Sequence, residues 1–162
     1  MEFDGYGIGG VFEPGEIPNV VGLVNSVLPE NKPRHLLGMG SQPLDLFLGV
    51  EHGVDTFDCV SPTRQARNGA LYTLDGRIDI TKKRYARQFA PIDDECDCYT
   101  CQNFTAAYLH HLFRAQELLA NTLATIHNER FIVRLVDDIR DSINSGTFFE
   151  LKKRFLADYY QK

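Results

Sequence analysis

The sequence has no long hydrophobic run and no signal-peptide pattern. No stretch approaches the roughly 18 consecutive apolar residues that a membrane-spanning helix needs. The first residues, Met1 to Asp4, also do not form the basic and apolar stretch with which a signal peptide begins. We therefore expect a cytoplasmic protein with no membrane partner. Because 43% of the 162 residues are hydrophobic, the chain is able to bury a core, and intrinsic disorder is not expected.

The chain also lacks the positive net charge of a general nucleic-acid binder, since its formal net charge is -5. The basic residues are unevenly distributed, however, and the segment from residue 64 to residue 87 carries a net charge of +5. Its seven basic residues are Arg64, Arg67, Arg77, Lys82, Lys83, Arg84 and Arg87. This segment is either a solvated face or a surface for a phosphate backbone.

Cysteines are few, and three of the four lie within six residues as Cys96-x-Cys98-x-x-Cys101. They are too close together to join distant segments as disulfides, so they are expected to bind a metal, and three thiolates suit tetrahedral zinc. The candidates for the fourth ligand are Asp97, His110, His111 and His127. A continuous helix would carry His127 about 35 Å away. His127 can therefore be the fourth ligand only if the helix breaks near residues 114–116.

No water-activating acid stands at a suitable spacing from these cysteines, which favours a closed structural metal site over a catalytic one. Under this interpretation the metal stabilises the fold of its module. His110 and His111 are then ordinary helix residues.

Short apolar segments alternate between extended and helical patterns over the first 60 residues. The sequence predicts strands at 3–8, 34–37 and 54–60 and helices at 18–28 and 43–51. This alternation predicts an α/β fold with a parallel sheet. Residues 69–80 then predict an antiparallel hairpin with Asp75-Gly76 at its turn, and apolar residues at helical spacing predict a helical C-terminal tail.

Active sites of parallel α/β proteins form at the carboxyl ends of the strands. Asp58 lies near the end of the third predicted strand and is a candidate nucleophile or base, although an aspartate that caps a loop would fit the same position. Arg64 and Arg67 follow in the next loop and are candidate phosphate ligands. Two glycine segments, Gly9-Gly10 and Gly38-Met39-Gly40, follow the other strands and either approach a flat ligand or only form turns.

Four motifs in a fixed order resemble the tRNA-guanine transglycosylase family over essentially the whole chain. They are FDGYGIGG at 3–10, LGMG at 37–40, FDCVSPTRQARNG at 57–69, and the three cysteines at 96–101 followed by Ile126-His127-Asn128. The resemblance implies the C-terminal part of a TIM (β/α)8 barrel, with an inserted zinc-binding subdomain and a helical C-terminal tail. It divides the chain into barrel units at 1–68, the hairpin and zinc subdomain at 69–128, and C-terminal helices at 129–162.

The activity that the resemblance implies is a pentosyl transfer, in which guanine at the anticodon wobble position of tRNA is exchanged for a 7-deazaguanine precursor of queuosine. Asp58 would be the nucleophile that holds the ribose covalently. The resemblance places zinc on Cys96, Cys98, Cys101 and His127, the base pocket at Gly9, Gly10, Gly38 and Met39, and tRNA contacts at Arg64 and Arg67.

The resemblance also implies that the earlier barrel strands and the acid/base aspartate of the family lie outside this chain. Catalysis is therefore expected to need a complementing N-terminal half, and a homodimer is the other expected assembly. The alternative interpretation is a non-catalytic, zinc-stabilised module for tRNA binding or dimerisation.

Overall fold

A computed structural model describes residues 3–10, 14–38 and 42–160, which form two compact units, Met1–Ser61 and Pro62–Lys162. The described part of the first unit contains β1 (Tyr6–Ile8), α1 (Ile17–Val27), β2 (Arg34–Leu36), α2 (Pro43–Glu51) and β3 (Thr56–Phe57). The described part of the second unit contains α3 (Ser61–Arg67), β4 (Ala70–Thr73), β5 (Gly76–Asp79), α4 (Tyr99–Asn103), α5 (Ala106–Arg114), α6 (Leu118–Ser145) and α7 (Phe148–Tyr160). Helix α3 begins at the last residue of the first unit. No helix among the described residues is long and apolar enough to cross a membrane.

The first unit contains the parallel sheet that the sequence predicts, with strand order β1-β2-β3. Both helices begin with a proline in the first turn, and a capping box between Gln42 and Asp45 closes the start of α2. The described residues form this open sheet and no closed barrel. The unit buries a small apolar core of Ile8, Ile17, Val21, Leu36 and Val54.

Strand β3 is shorter than predicted, because it covers Thr56–Phe57 rather than residues 54–60. It pairs only with β2 among the described strands, in the register His35↔Thr56 and Leu36↔Phe57. Pairing ends where β2 ends, since a strand needs a hydrogen-bonded neighbour to continue. The apolar pattern of the sequence was thus a correct indication of a strand but a wrong indication of its length.

The antiparallel hairpin of β4 and β5 begins the second unit, but its turn lies one residue earlier than predicted. Thr73 pairs with Gly76, so Leu74 and Asp75 form the connection and Gly76 belongs to the strand. Within the described residues Gly76 has a positive φ of 105°, whereas Leu74 and Asp75 do not. A type I′ turn requires positive φ at both central residues, so this turn is not of type I′. The Asp-Gly pair lies at the second central residue and the first strand residue after it.

Replacement of Gly76 by alanine is expected to destabilise the second unit by about 2–3 kcal/mol. A Cβ atom at this position would lie 2.9 Å from the carbonyl oxygen of Tyr159, and the φ of 105° is itself unfavourable for alanine. Gly146→Ala is the matched control, because Gly146 has a φ of 75° but a Cβ atom placed there would meet no heavy atom within 4 Å. The control should cost about 1 kcal/mol. Equal losses in denaturant unfolding would contradict the steric part of this prediction.

The helical tail is interrupted where the sequence requires it to be. Helix α5 ends at Arg114, α6 begins at Leu118, and Gln116 between them has a φ of 59°. Gly146 then ends α6 in the left-handed conformation that helix ends favour. Helix α6 packs against α4, α5, β4 and α7 and is therefore the central element of the second unit.

Asn128 of α6 is fully buried and joins three segments of the second unit. Its Oδ1 accepts a hydrogen bond from the backbone of Tyr72 at 3.1 Å. Its Nδ2 donates to the carbonyl oxygens of Pro62 at 3.1 Å and Ala70 at 3.0 Å. One side chain thus satisfies backbone groups of β4 and of the segment at the start of α3.

Asn128→Ala is expected to lower the free energy of unfolding of the second unit by about 3 kcal/mol or more, because the backbone groups that it satisfies would lose their partner. Urea unfolding monitored by circular dichroism measures this loss. Asn144→Ala, on the exposed surface of the same helix, serves as the control and should change the stability by less than about 0.5 kcal/mol. A similar small change for both variants would show that the Asn128 contacts contribute little.

Candidate metal centre and carboxylate site

Three cysteines and one histidine converge in the core of the second unit. The sulfur atoms of Cys96, Cys98 and Cys101 and the ring of His127 offer ligand atoms that all lie within 4.8 Å of one another. All four residues are buried, and His127 has no exposed surface. Nδ1 of His127 lies 3.7, 3.6 and 3.3 Å from the three sulfur atoms in sequence order.

Local structure positions Cys98, Cys101 and His127. Cys98 is the N-cap of α4, and its Sγ accepts a hydrogen bond from the backbone amide of Cys101 at 3.3 Å. Thr100 joins α4 to α6, because its hydroxyl donates to the carbonyl oxygen of Leu123 at 2.7 Å. The break between α5 and α6 allows His127 to face this turn, which confirms the prediction made from its distance along the chain.

A second contact fixes which nitrogen of His127 faces the sulfur atoms. Nε2 lies 2.7 Å from the carbonyl oxygen of Tyr72. Because a carbonyl can only accept, Nε2 carries the proton and the lone pair of Nδ1 points towards the cysteines. In a tetrahedral zinc centre, bonds of about 2.3 Å to sulfur and about 2.0 Å to nitrogen place these atoms about 3.5 Å apart. The observed separations agree with this value, so the residues fit a tetrahedral metal.

The neighbouring thiols also change the pKa of Cys98 and that of Cys101. Hydrogen bonds from Cys101 and Cys96 lower the pKa of the Cys98 thiol to about 3, whereas contacts with Cys96 and Cys98 raise the pKa of Cys101. Such close sulfur atoms favour a negative charge on at least one of them. Buried thiolate and imidazole donors of this kind suit a metal ion.

The other candidates for the fourth ligand have different partners. Asp97 accepts two hydrogen bonds of 2.7 Å from Arg130, and this contact lowers the pKa of its carboxyl group. Nδ1 of His110 donates to the carbonyl oxygen of Ile80 at 2.8 Å. His111 is exposed on α5. The described residues therefore single out His127.

Asp58 lies directly after β3, at the edge of the sheet where the parallel strands end. Its Oδ1 accepts a hydrogen bond from the backbone amide of Gly38 at 2.7 Å, and its Oδ2 lies 3.4 Å from Nε2 of His35. The hydrogen bond from the Gly38 amide lowers the pKa of the Asp58 carboxyl group below its ordinary value, and the contact with His35 lowers it further by a smaller amount. The side chain is 58% exposed, so an ionised carboxylate faces solvent at this edge.

The family model described as queuine tRNA-ribosyltransferase matches residues 1–161. The chain belongs to this family. It is 50% identical to a queuine tRNA-ribosyltransferase of Thermoanaerobacter sp. (strain X514), over the whole chain and 44% of that relative. Identity is 52% with the protein of the same name from Dehalococcoides mccartyi (strain CBDB1), over 98% of the chain and 41% of the relative. It is 50% with that of Aquifex aeolicus (strain VF5), over 96% of the chain and 43% of the relative.

The chain thus spans less than half the length of the queuine tRNA-ribosyltransferases that it matches, and it corresponds to their C-terminal portion. Membership agrees with the resemblance found in the motifs. The three-part division at residues 68 and 128 stays a prediction.

The predicted base-pocket residues follow the strands of the first unit. Gly9 and Gly10 come directly after β1, and Gly38 comes after β2, two residues beyond its last residue. A Cβ atom at Gly9 would lie 3.0 Å from Cδ1 of Leu37, so these loops are closely packed. Met39 lies outside the described residues. The roles of these residues in base binding stay predictions.

Arg64 and Arg67 lie on α3 in the second unit, and both side chains are exposed. All five other basic residues of the segment 64–87 are also exposed, and Arg77 donates to Oε1 of Gln65 at 3.2 Å. The exposure of these side chains is compatible with phosphate contacts. Their role in tRNA binding stays a prediction.

His35 is the site residue that the sequence did not reveal. Its position in the middle of β2 gave no signal by itself, because a histidine in a short strand is common. The signal available was the parallel alignment of β2 with β3, which places residue 35 beside the residues that lead to Asp58.

Proposed function

We propose that the chain is the C-terminal catalytic part of a tRNA-guanine transglycosylase. This enzyme exchanges guanine at the anticodon wobble position for a 7-deazaguanine, and the aminomethyl precursor of queuosine is the incoming base. Family membership supports the proposal, and the ionised carboxylate of Asp58 at the carboxyl edge of the sheet is the observation that carries it.

In this reaction a carboxylate oxygen of Asp58 attacks C1′ of the ribose. A bond forms between this oxygen and C1′, while the bond between C1′ and the guanine nitrogen breaks and guanine leaves with a proton from an acid. The incoming base then gives its ring-nitrogen proton to the same acid/base group and attacks C1′, while the bond between C1′ and the Asp58 oxygen breaks. The Gly38 amide, 2.7 Å from Oδ1, stabilises the carboxylate when it is released. The acid/base group belongs to the N-terminal half, which we propose as the complementing partner.

The remaining site residues bind the substrates. Gly9, Gly10, Gly38 and Met39 line the pocket of the deazaguanine base, because glycines allow the backbone to approach a flat ring. Arg64 and Arg67 contact phosphates of the anticodon loop and thus set the position of the tRNA. A homodimer is the alternative assembly, and the cytoplasm is the proposed location.

We propose zinc as the metal of the Cys96, Cys98, Cys101 and His127 centre. Four buried protein ligands leave no open position, so the ion supplies structural stability rather than a reactive water. In this proposal the chain comprises barrel units at 1–68, the hairpin and zinc subdomain at 69–128, and C-terminal helices at 129–162.

The test incubates the chain with tRNA and labelled guanine, once alone and once together with an N-terminal half. The proposal expects exchange of guanine and a covalent tRNA adduct when both halves are present. Absence of exchange and adduct in both cases would overturn the enzyme hypothesis. If tRNA still bound, the result would support the alternative of a non-catalytic tRNA-binding module.

A further inference from the structure

His35 contacts Asp58 through one ring nitrogen and Thr56 through the other. Nε2 lies 3.4 Å from Oδ2 of Asp58, and Nδ1 lies 2.8 Å from Oγ1 of Thr56. Because a carboxylate can only accept, Nε2 carries a proton. In the neutral imidazole Nδ1 then accepts the hydrogen bond of the Thr56 hydroxyl, so both contacts are satisfied by a single tautomer.

The sheet fixes the orientation of this imidazole. His35 and Thr56 are paired in the parallel register of β2 and β3. Threonine is β-branched and has few rotamers in a strand, so its hydroxyl is a stable anchor for Nδ1. The ring therefore presents Nε2 at the end of the neighbouring strand, where Asp58 begins the loop.

The two oxygens of Asp58 thus have separate partners among the described residues. The Gly38 amide holds Oδ1 and His35 holds Oδ2. One contact can be kept in several side-chain conformations, whereas two contacts on different oxygens select one χ1 rotamer and also fix the plane of the carboxylate.

Other charged groups near these strands are engaged elsewhere. Asp55 accepts a hydrogen bond from the backbone amide of Arg34 at 2.8 Å. The guanidinium of Arg34 donates to the carbonyl oxygens of Leu28 and Gly53. Within the described residues of the first unit, His35 is the side chain that contacts the Asp58 carboxylate.

We propose that His35 is a positioning residue, which holds the Asp58 carboxylate in one orientation for attack on the ribose. The positioning is a property of the first unit, and its consequence for the reaction rests on the proposed function. The imidazole acts through Asp58 and does not itself react. Thr56 is the anchor that keeps Nε2 directed at Oδ2.

The test measures the side-chain rotamer of Asp58 in the full chain at neutral pH, by three-bond NMR couplings to its Cγ. The wild-type chain should show one χ1 rotamer, and His35→Phe should lose this pattern and show rotamer averaging. His35→Gln should restore it, because a glutamine amide can donate from about the same place as Nε2. His52→Gln is the matched control, since His52 bonds to the Leu48 carbonyl in the same unit. Unchanged couplings in His35→Phe would overturn the proposal.

A backbone amide spectrum shows whether each variant keeps the fold of the first unit. If His35→Phe fails to fold, Thr56→Val replaces it, because this variant keeps the shape of the side chain and removes only the hydroxyl. Its Asp58 couplings should also show averaging, and couplings identical to those of the wild type would overturn the proposed positioning.

A second measurement connects the rotamer with the reaction. With the N-terminal half and tRNA present, His35→Phe should slow adduct formation by about 10- to 100-fold, and His35→Gln should stay within about threefold of the wild type. An unchanged adduct rate in His35→Phe would overturn the role of His35 although the enzyme function stands. If the wild type forms no adduct, the proposed function fails, whereas the NMR couplings still decide whether His35 positions Asp58.

Discussion

Removal of the metal from the centre of Cys96, Cys98, Cys101 and His127 is expected to unfold the second unit. Zinc binding by structural centres of this kind contributes about 10–16 kcal/mol, which is at least as large as the total stability of most domains. The centre lies inside the main apolar cluster of the unit, together with residues such as Leu109 and Leu123. Loss of the ion would leave thiolates buried in that cluster, and a buried unpaired charge is strongly unfavourable.

A chelator titration followed by circular dichroism and metal analysis measures this effect. Cys101→Ser should lose the metal and the cooperative unfolding transition of residues 62–162. Cys59→Ser is the matched control, because Cys59 lies outside the cluster. This variant should retain one bound metal ion per chain. A metal-free chain with the same unfolding transition as the loaded chain would show that the centre does not stabilise the fold.

The metal centre could be predicted largely from the sequence, because covalent geometry restricts it. Three cysteines within six residues are necessarily close in space, and a helix rises by about 1.5 Å per residue. His127 could join them only if the helix broke, and the break at Gln116 confirms this inference. The contact of His127 with Tyr72 was not predictable, since it depends on how the hairpin packs against α6.

The parallel sheet was predicted from its alternating pattern, but details that depend on pairing were not. The length of β3 depends on the short strand beside it, and the hairpin turn depends on the φ of Gly76, which packs against the end of α7. Composition and periodicity describe one segment at a time. Properties that arise between segments, such as register, therefore required the structure.

The carboxylate site shows the same division between local and tertiary information. Asp58 was predicted because strand ends of parallel sheets carry functional residues. Its partners Gly38 and His35 precede it by 20 and 23 positions, and β2 brings them to it. The sequence thus indicated Asp58 as the candidate, whereas the groups that contact its carboxylate required the fold.

Asp58→Asn is expected to abolish guanine exchange and the covalent tRNA adduct, with a loss of about a thousandfold or more. Asparagine keeps the size of the side chain and its contact with the Gly38 amide. Its amide, however, is neutral and a poor nucleophile, so it cannot form the bond to C1′. The measurement compares exchange of labelled guanine and adduct formation, with the N-terminal half supplied in both cases.

Asp55→Asn is the matched control for this substitution, because Asp55 precedes the same strand and its Oδ2 accepts the Arg34 amide. Asparagine is able to accept this hydrogen bond, so exchange should persist in the control. Both variants should bind one metal ion per chain, since the metal ligands belong to the second unit. Retention of exchange by Asp58→Asn would exclude Asp58 as the nucleophile and leave its carboxylate a structural role. Loss in Asp58→Asn alone, with the metal retained, would separate the chemistry of the carboxylate from the stability that the metal supplies.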